Sequence, residues 1–286
     1  MQVTNPPAGS HLLSVLEPLT KTEPLLRAEL FGVDEMEAHG THLAMRHTLS
    51  PQRTTNRLLL RLGDNERALL DNCKVLMATV VAKGRIAPAG EWLLDNYHVV
   101  QDHIREARES LPGSYYRELP ELATGRLAGY PRVYELTIAL ISHTEGRLDL
   151  ENVGRFVRAY QTETPLLIGE LWAVPTMLRL GLIENVRRMA LRSAHRLEWI
   201  ESADRWAAAI ERASEEGVAS LDVAIDAFRR DVPPLTPVFI SRFLHRIHQT
   251  GGYFPPLVRL EEWIVGRGGM SVDAAEARAT QYVALT

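Results

Sequence analysis

The chain has 286 residues, 32 of them basic and 36 acidic, for a net charge of −4. That length admits one large domain or two small ones with a substantial core, and the balanced charge gives no global attraction for nucleic acid or an anionic membrane. The single cysteine, Cys73, excludes a disulfide framework.

The N-terminus, MQVTNPPAGSHLL, lacks the charged-then-apolar pattern of a signal peptide, and residues 1–29 are expected to form a poorly ordered extension. His39, His42 and His47 fall on one predicted helix, with no matching carboxylate or cysteine spacing to make a metal site. Arg53, Arg57 and Arg61 recur at four-residue steps, too few charges for a nucleic-acid footprint. From Asp64, a helical stripe of Leu69, Leu70, Cys73, Leu76, Met77, Val80 and Val81 runs to Gly84. Pro88 then suits the first turn of a helix ending near Glu109.

That helix contains GEWLLDNYHVV, Gly90 to Val100. The period puts Leu93, Asn96, Tyr97, Val100, Ile104 and Ala107 on one face, with Trp92 and His103 at its edge. Asn96 thus enters an apolar stripe, where an amide needs partners: it is read either as a cap on a neighbouring element or as part of a site. His98 and Asp102, four apart, are expected to pair on the outer face. Ser114–Leu136 follows as a loop in which Tyr115, Tyr116, Tyr130 and Tyr134 alternate with Arg117, Glu118, Arg126 and Arg132. Flat rings and guanidinium forks of this kind line sugar or peptide sites, or clamp a loop onto helices.

A third helix is predicted after Pro131, with Val133, Leu136, Leu140 and Ile141 inward. A fourth is capped by Asp149, with Leu150, Val153, Phe156, Val157 and Tyr160 inward, and closes at Thr164-Pro165. A long pattern runs from Leu166 past Trp199, and Pro175 predicts a kink or break in it. Leu167, Glu170, Leu171, Val174 and Leu178 share a stripe there. A carboxylate at Glu170 then needs Arg117, Arg132 or Arg179 as a partner, or becomes a general acid through desolvation. Glu184 and Arg188 are read as a surface pair. The last third gives shorter helices at 202–215, 220–230, 237–248, 256–265 and 271–283, separated by Pro233-Pro234, Gly251-Gly252 and Pro255-Pro256. No alternating strand pattern persists and no apolar run reaches the roughly 18 residues of a membrane span. The fold class is all-α, a multi-helix bundle or array of antiparallel helix pairs. The expected parts are a main helical domain over 30–216 and a smaller helical part over 217–286.

There is no phosphate loop, dinucleotide glycine fingerprint or nucleophile elbow, and no cofactor or metal is expected. The blocks EWLLDNYHVVQDHIREARESLPGSYYRELPELATGRLAGYPRVYEL, RFVRAYQ, PLLIGELWAVPTMLRLGLIENVRR and EEWIVGRGGMSVDAAEARATQYVALT resemble the N-terminal region of cyclic β-1,2-glucan synthases. The resemblance implies a parent protein that builds a ring of β-1,2-glucan from UDP-glucose. It implies a cytoplasmic setting at the inner face of the inner membrane, through the parent and not by insertion of this chain. It also implies downstream catalytic domains as partners, in the same or another polypeptide.

The leading expectation is a non-catalytic helical region. A second is a β-glucan-binding module, with Trp92, Tyr115, Tyr116, Tyr130 and Trp172 as stacking surfaces. A third is a small glycoside-active enzyme pairing Glu170 with Asp95 or Glu118. Asn96, Tyr115–Arg117, Tyr130–Arg132 and Glu170 are expected to join in one polar network.

Overall fold

The computed structural model describes residues 28–51, 57–82, 84–144, 146, 148–231, 233–249 and 255–284. Among them there are helices and no strand: α1 Val33–Arg46, α2 Arg57–Val81, α3 Pro88–Glu109, α4 Gly113–Tyr116, α5 Arg132–His143, α6 Leu150–Gln161, α7 Ile168–Glu216, α8 Val218–Asp231, α9 Pro237–Gln249, α10 Pro255–Gly268 and α11 Val272–Ala284. The all-α expectation holds. The extension expected at 1–29 lies outside the described residues except for Ala28 and Glu29, and Arg53 lies outside them as well.

The described chain forms two compact units, one containing Trp92–Leu191 and the residues up to Val75, the other containing Leu76–Glu91 and Arg192 onward. In the first unit α5 is the central element, because all twelve of its residues are buried. α1 packs on α6 and α5. The α1–α6 approach is close at Gly40, where a β-carbon would stand 3.1 Å from the Phe156 carbonyl oxygen. α6 begins as its sequence predicts: Asp149 accepts the Asn152 amide at 2.8 Å, which satisfies one of the unpaired donors of the first turn. Leu150, expected inward, is 93% exposed, since a residue at the first helical position projects beside the cap, away from the face that Phe156, Val157 and Tyr160 bury.

In the second unit α11 packs on α9 and α10 on α8. Phe228 makes edge-to-face contacts with Trp206 and Trp263, with ring centroids 5.2 and 5.9 Å apart, and Phe243 stacks on it at 5.1 Å. Such aromatic pairs add to the burial of the rings themselves.

Two helical expectations are corrected. α7 continues through Pro175 without a break. The proline lies in the second turn, and both it and Leu171, whose carbonyl loses a helical donor there, face outward, so that carbonyl meets solvent and the long packed face beyond carries the helix through. On α2 the inward stripe is narrower than predicted. Leu69, Cys73 and Leu76 are buried, whereas Leu70, Met77, Val80 and Val81 are exposed.

Candidate functional site

α5 enters the first unit carrying Arg132, and α7 begins beside it carrying Glu170; the two side chains are 3% and 0% exposed. Arg132 Nε donates to Glu170 Oε1 and Nη2 to Oε2, each at 2.7 Å, the parallel two-bond geometry of a guanidinium fork on a carboxylate. Arg132 Nη2 also donates to the Pro165 carbonyl at 2.9 Å. Glu170 Oε2 accepts the Leu167 amide at 2.9 Å, so this acid at the third helical position also caps the amide just before α7. Of the three arginines expected to serve Glu170, Arg132 is its partner; Arg179 pairs instead with Glu106 at 2.9 Å, and Arg117 is exposed. Burial opposes the Arg132 charge, but the hydrogen bonds and charge of Glu170 outweigh it and hold its pKa above the ordinary value.

The network continues inward. Arg132 lies over the Tyr160 ring, 5.9 Å from its centroid, and burial pushes the Tyr160 phenol up to about 12. The Tyr160 hydroxyl meets His47 Nδ1 at 2.7 Å, and His47 Nε2 stands 3.4 Å from Glu135. The three histidines predicted on one helix therefore part company. His47 is the C-cap of α1, His42 is exposed, and His39 lies against His143, itself stacked on Phe31 at 3.9 Å. Burial, reinforced by the His143, Arg46 and His42 charges, lowers the His39 pKa to about 4.

The tyrosine–arginine loop is clamped onto the helices. Leu122 N–H donates to the Tyr130 carbonyl at 2.9 Å, and Gly129 N–H to the Leu122 carbonyl at 2.8 Å; Gly129 supplies the positive φ of 78° that this turn requires. Tyr116, Tyr130 and Tyr134 are buried, so their rings are not available as surfaces for a sugar. Tyr115 is half-buried and donates its hydroxyl to the Gly169 carbonyl. Asn96 is half-buried and donates to the Trp92 carbonyl at 2.8 Å, so its amide is engaged within its own helix. His98 does not hold Asp102, which pairs with Arg105 at 2.8 Å.

Trp92 and Trp172 are 48% and 76% exposed.

A second buried cluster corrects the surface-pair reading of Glu184 and Arg188: both are 0% exposed. Glu184 accepts Arg61 Nη2 and Arg187 Nη2 at 2.7 Å, Asn65 Nδ2 at 2.8 Å, and Arg188 Nε and Nη2 at 3.1 Å. Burial opposes ionisation of Glu184, but the Arg61 hydrogen bond and the Arg187, Arg61 and Arg188 charges prevail and pull its pKa down to about 2. The signal was in the sequence. Glu170, Ala173, Met177, Leu180, Glu184, Arg187 and Arg188 follow one helical stripe, and Arg61 and Asn65 are four apart on α2. The charges on that stripe look like solvated residues until the face is known to be interior. The same stripe explains why Leu167 and Leu171, predicted inward, point out.

An open groove of about 650 Å³ between α1 and α6 is lined by Asp34, Glu37, Thr41, Glu151, Arg155 and Arg158. None of the sequence-derived candidates line it, and Arg155 is already paired with Glu151 at 2.8 Å. Among the described residues no cluster of histidine, cysteine or carboxylate side chains has the makings of a metal site, and no helix is long and apolar enough to cross a membrane.

These observations define a helical scaffold in which Glu170 and Glu184 are closed off by arginine. Glu170 has both oxygens occupied and no solvent contact, so it cannot hand a proton to a ligand without the cluster opening first. No family model matches the chain. Over 252 residues it is 32% identical to the cyclic β-(1,2)-glucan synthase NdvB of Rhizobium meliloti (strain 1021), a match that takes in 87% of this chain and 9% of that protein. The resemblance to cyclic β-1,2-glucan synthases read from the sequence is thus borne out, and the chain is related to one region of such an enzyme.

Proposed function

We propose that the chain is a non-catalytic helical region of a β-1,2-glucan synthase, which supports synthesis from UDP-glucose by catalytic domains elsewhere in the same or a partner polypeptide. The observation that carries this reading is the sealing of Glu170 by Arg132 and of Glu184 by three arginines. The two most enclosed carboxylates of the first unit serve as structural anions, and the similarity extends over a small fraction of a large synthase. Two measurements test it. The purified chain, given radiolabelled UDP-glucose, should form no glucan, and deleting residues 28–284 in the cells that make the protein should lower the yield or alter the ring size of cyclic glucan. Turnover of UDP-glucose by the chain alone, or a deletion without effect, would refute the reading.

A β-glucan-binding module is the second reading, favoured by the exposure of Trp92 and Trp172. Titration with linear β-1,2-glucan should then quench tryptophan fluorescence, and more weakly after Trp92→Ala or Trp172→Ala. An unchanged signal at millimolar glucan removes this reading.

A further inference from the structure

At the start of α7, Leu167, Ile168, Leu171 and Trp172 are 56%, 69%, 36% and 76% exposed. Four large apolar side chains within six residues, on the outward side of one helix end, form a contiguous patch. Frayed backbone does not account for it. On the inward side Glu170 is locked by Arg132 and holds the Leu167 amide, Arg132 holds the Pro165 carbonyl, and Tyr115 holds the Gly169 carbonyl. The patch is therefore presented on a fixed frame, with a tryptophan that has little rotamer freedom to lose. Those are the properties of a hot spot in a protein interface.

The size of the patch selects the occupant. A buried aromatic side chain contributes roughly 150–250 Å²; with three aliphatic neighbours the patch offers on the order of 400 Å². That is within the range of functional surface patches and about half of the ~800 Å² per partner that a stable interface between free proteins buries. A second copy of the chain would need more surface than this. A segment tethered in the same polypeptide would not, because its effective concentration reaches the millimolar range. The glucan synthase relative is long enough to supply one, since the matched region is 9% of it.

We infer that the first two turns of α7 are the seat for another segment of the synthase polypeptide, one with an apolar pocket or helix face that receives the Trp172 indole. This rests on the reading of the chain as a synthase region. The test replaces Trp172 by the photo-cross-linking residue p-benzoylphenylalanine in the cells that make the protein, with the same residue at exposed Val223 as the control site. Mass spectrometry should find position 172 joined to one glucan-synthase peptide outside residues 1–286, and Val223 not joined to it. The double variant Ile168→Ser, Trp172→Ser should lower cyclic-glucan yield about tenfold or more, while the purified variant keeps its urea midpoint. Cross-links to a second copy, to unrelated proteins or to nothing would overturn the inference, as would an unchanged glucan yield. If any of these occurs while deletion of 28–284 still impairs glucan synthesis, the seat is wrong and the synthase-region reading stands.

Discussion

Replacing Glu170 by Met leaves Arg132, 3% exposed, without the carboxylate that neutralises it. Two charge-assisted bonds are lost and the Leu167 amide loses its acceptor; the Pro165 carbonyl and Tyr160, both neutral, are left to Arg132. Removing one partner of a buried pair costs about 3–5 kcal/mol, most of it the penalty of an uncompensated buried charge. Arg132→Met should cost about as much, for the converse reason. The double variant, with two apolar side chains of similar length in the same space, should cost far less than the roughly 6–10 kcal/mol sum of the singles, because the desolvation penalty is then gone from both states. The measurement is amide hydrogen exchange of α5 in all four proteins, which reports opening of the first unit alone. Additive losses, or single losses below about 1 kcal/mol, would refute the claim that the pair is a dry, mutually dependent anchor.

The other expectations concern the same frame. Glu184→Gln should destabilise the first unit by about 3 kcal/mol or more, because Arg61, Arg187 and Arg188 lose their shared anion; a urea series with a midpoint close to that of the parent would contradict this. Acid should weaken the fold in two windows. His39, lowered from 6.5 to about 4, is protonated more readily in the unfolded chain, so stability falls as pH drops from about 6.5 to 4, by less than the full shift would give because solvent screens the partly exposed ring. Glu184, lowered from 4.5 to about 2, adds a loss between about 4.5 and 2. Unfolding midpoints against pH should show both, and His39→Phe should flatten the upper window only. Asp149→Ala, which removes the cap of α6, should cost about 1 kcal/mol and raise exchange at the Asn152 amide selectively.

The helices were legible because their punctuation is local. Pro88 and Asp149 start α3 and α6 where the sequence puts them, since the reason for each start lies within a few residues. What faces what was less legible. Glu170 was readable as buried because apolar residues flank it on its stripe. Glu184 was not, because its neighbours at the next turn are Arg187 and Arg188, and a run of charge on a helix is ordinarily a wet face. Only the all-round burial of α5 makes the stripe of α7 that faces it dry. A clamped tyrosine loop is one of the two readings its sequence allows, and what decides for it is hydrogen bonds to residues 70 or more positions away, such as Ala123 N–H to the Thr48 carbonyl at 2.7 Å. No local pattern encodes those bonds.

The two ionic clusters have a joint consequence that neither has alone. Glu170 and Glu184 are fourteen residues apart on α7, roughly 21 Å along its axis. One is fastened to α5 through Arg132, the other to α2 through Arg61 and Asn65. Apolar packing already opposes a slide of α7 by a turn against α5, because a β-carbon at Gly181 would stand 2.5 Å from Ile141 Cδ1. A slide of one turn would leave a carboxylate and several guanidiniums buried without each other, at a cost of several kcal/mol for each cluster. The charges and the close approach at Gly181 therefore act together on the register of α7. With Glu170 held inward in the first turn, the opposite side of the first two turns carries Leu167, Ile168, Leu171 and Trp172 at the surface.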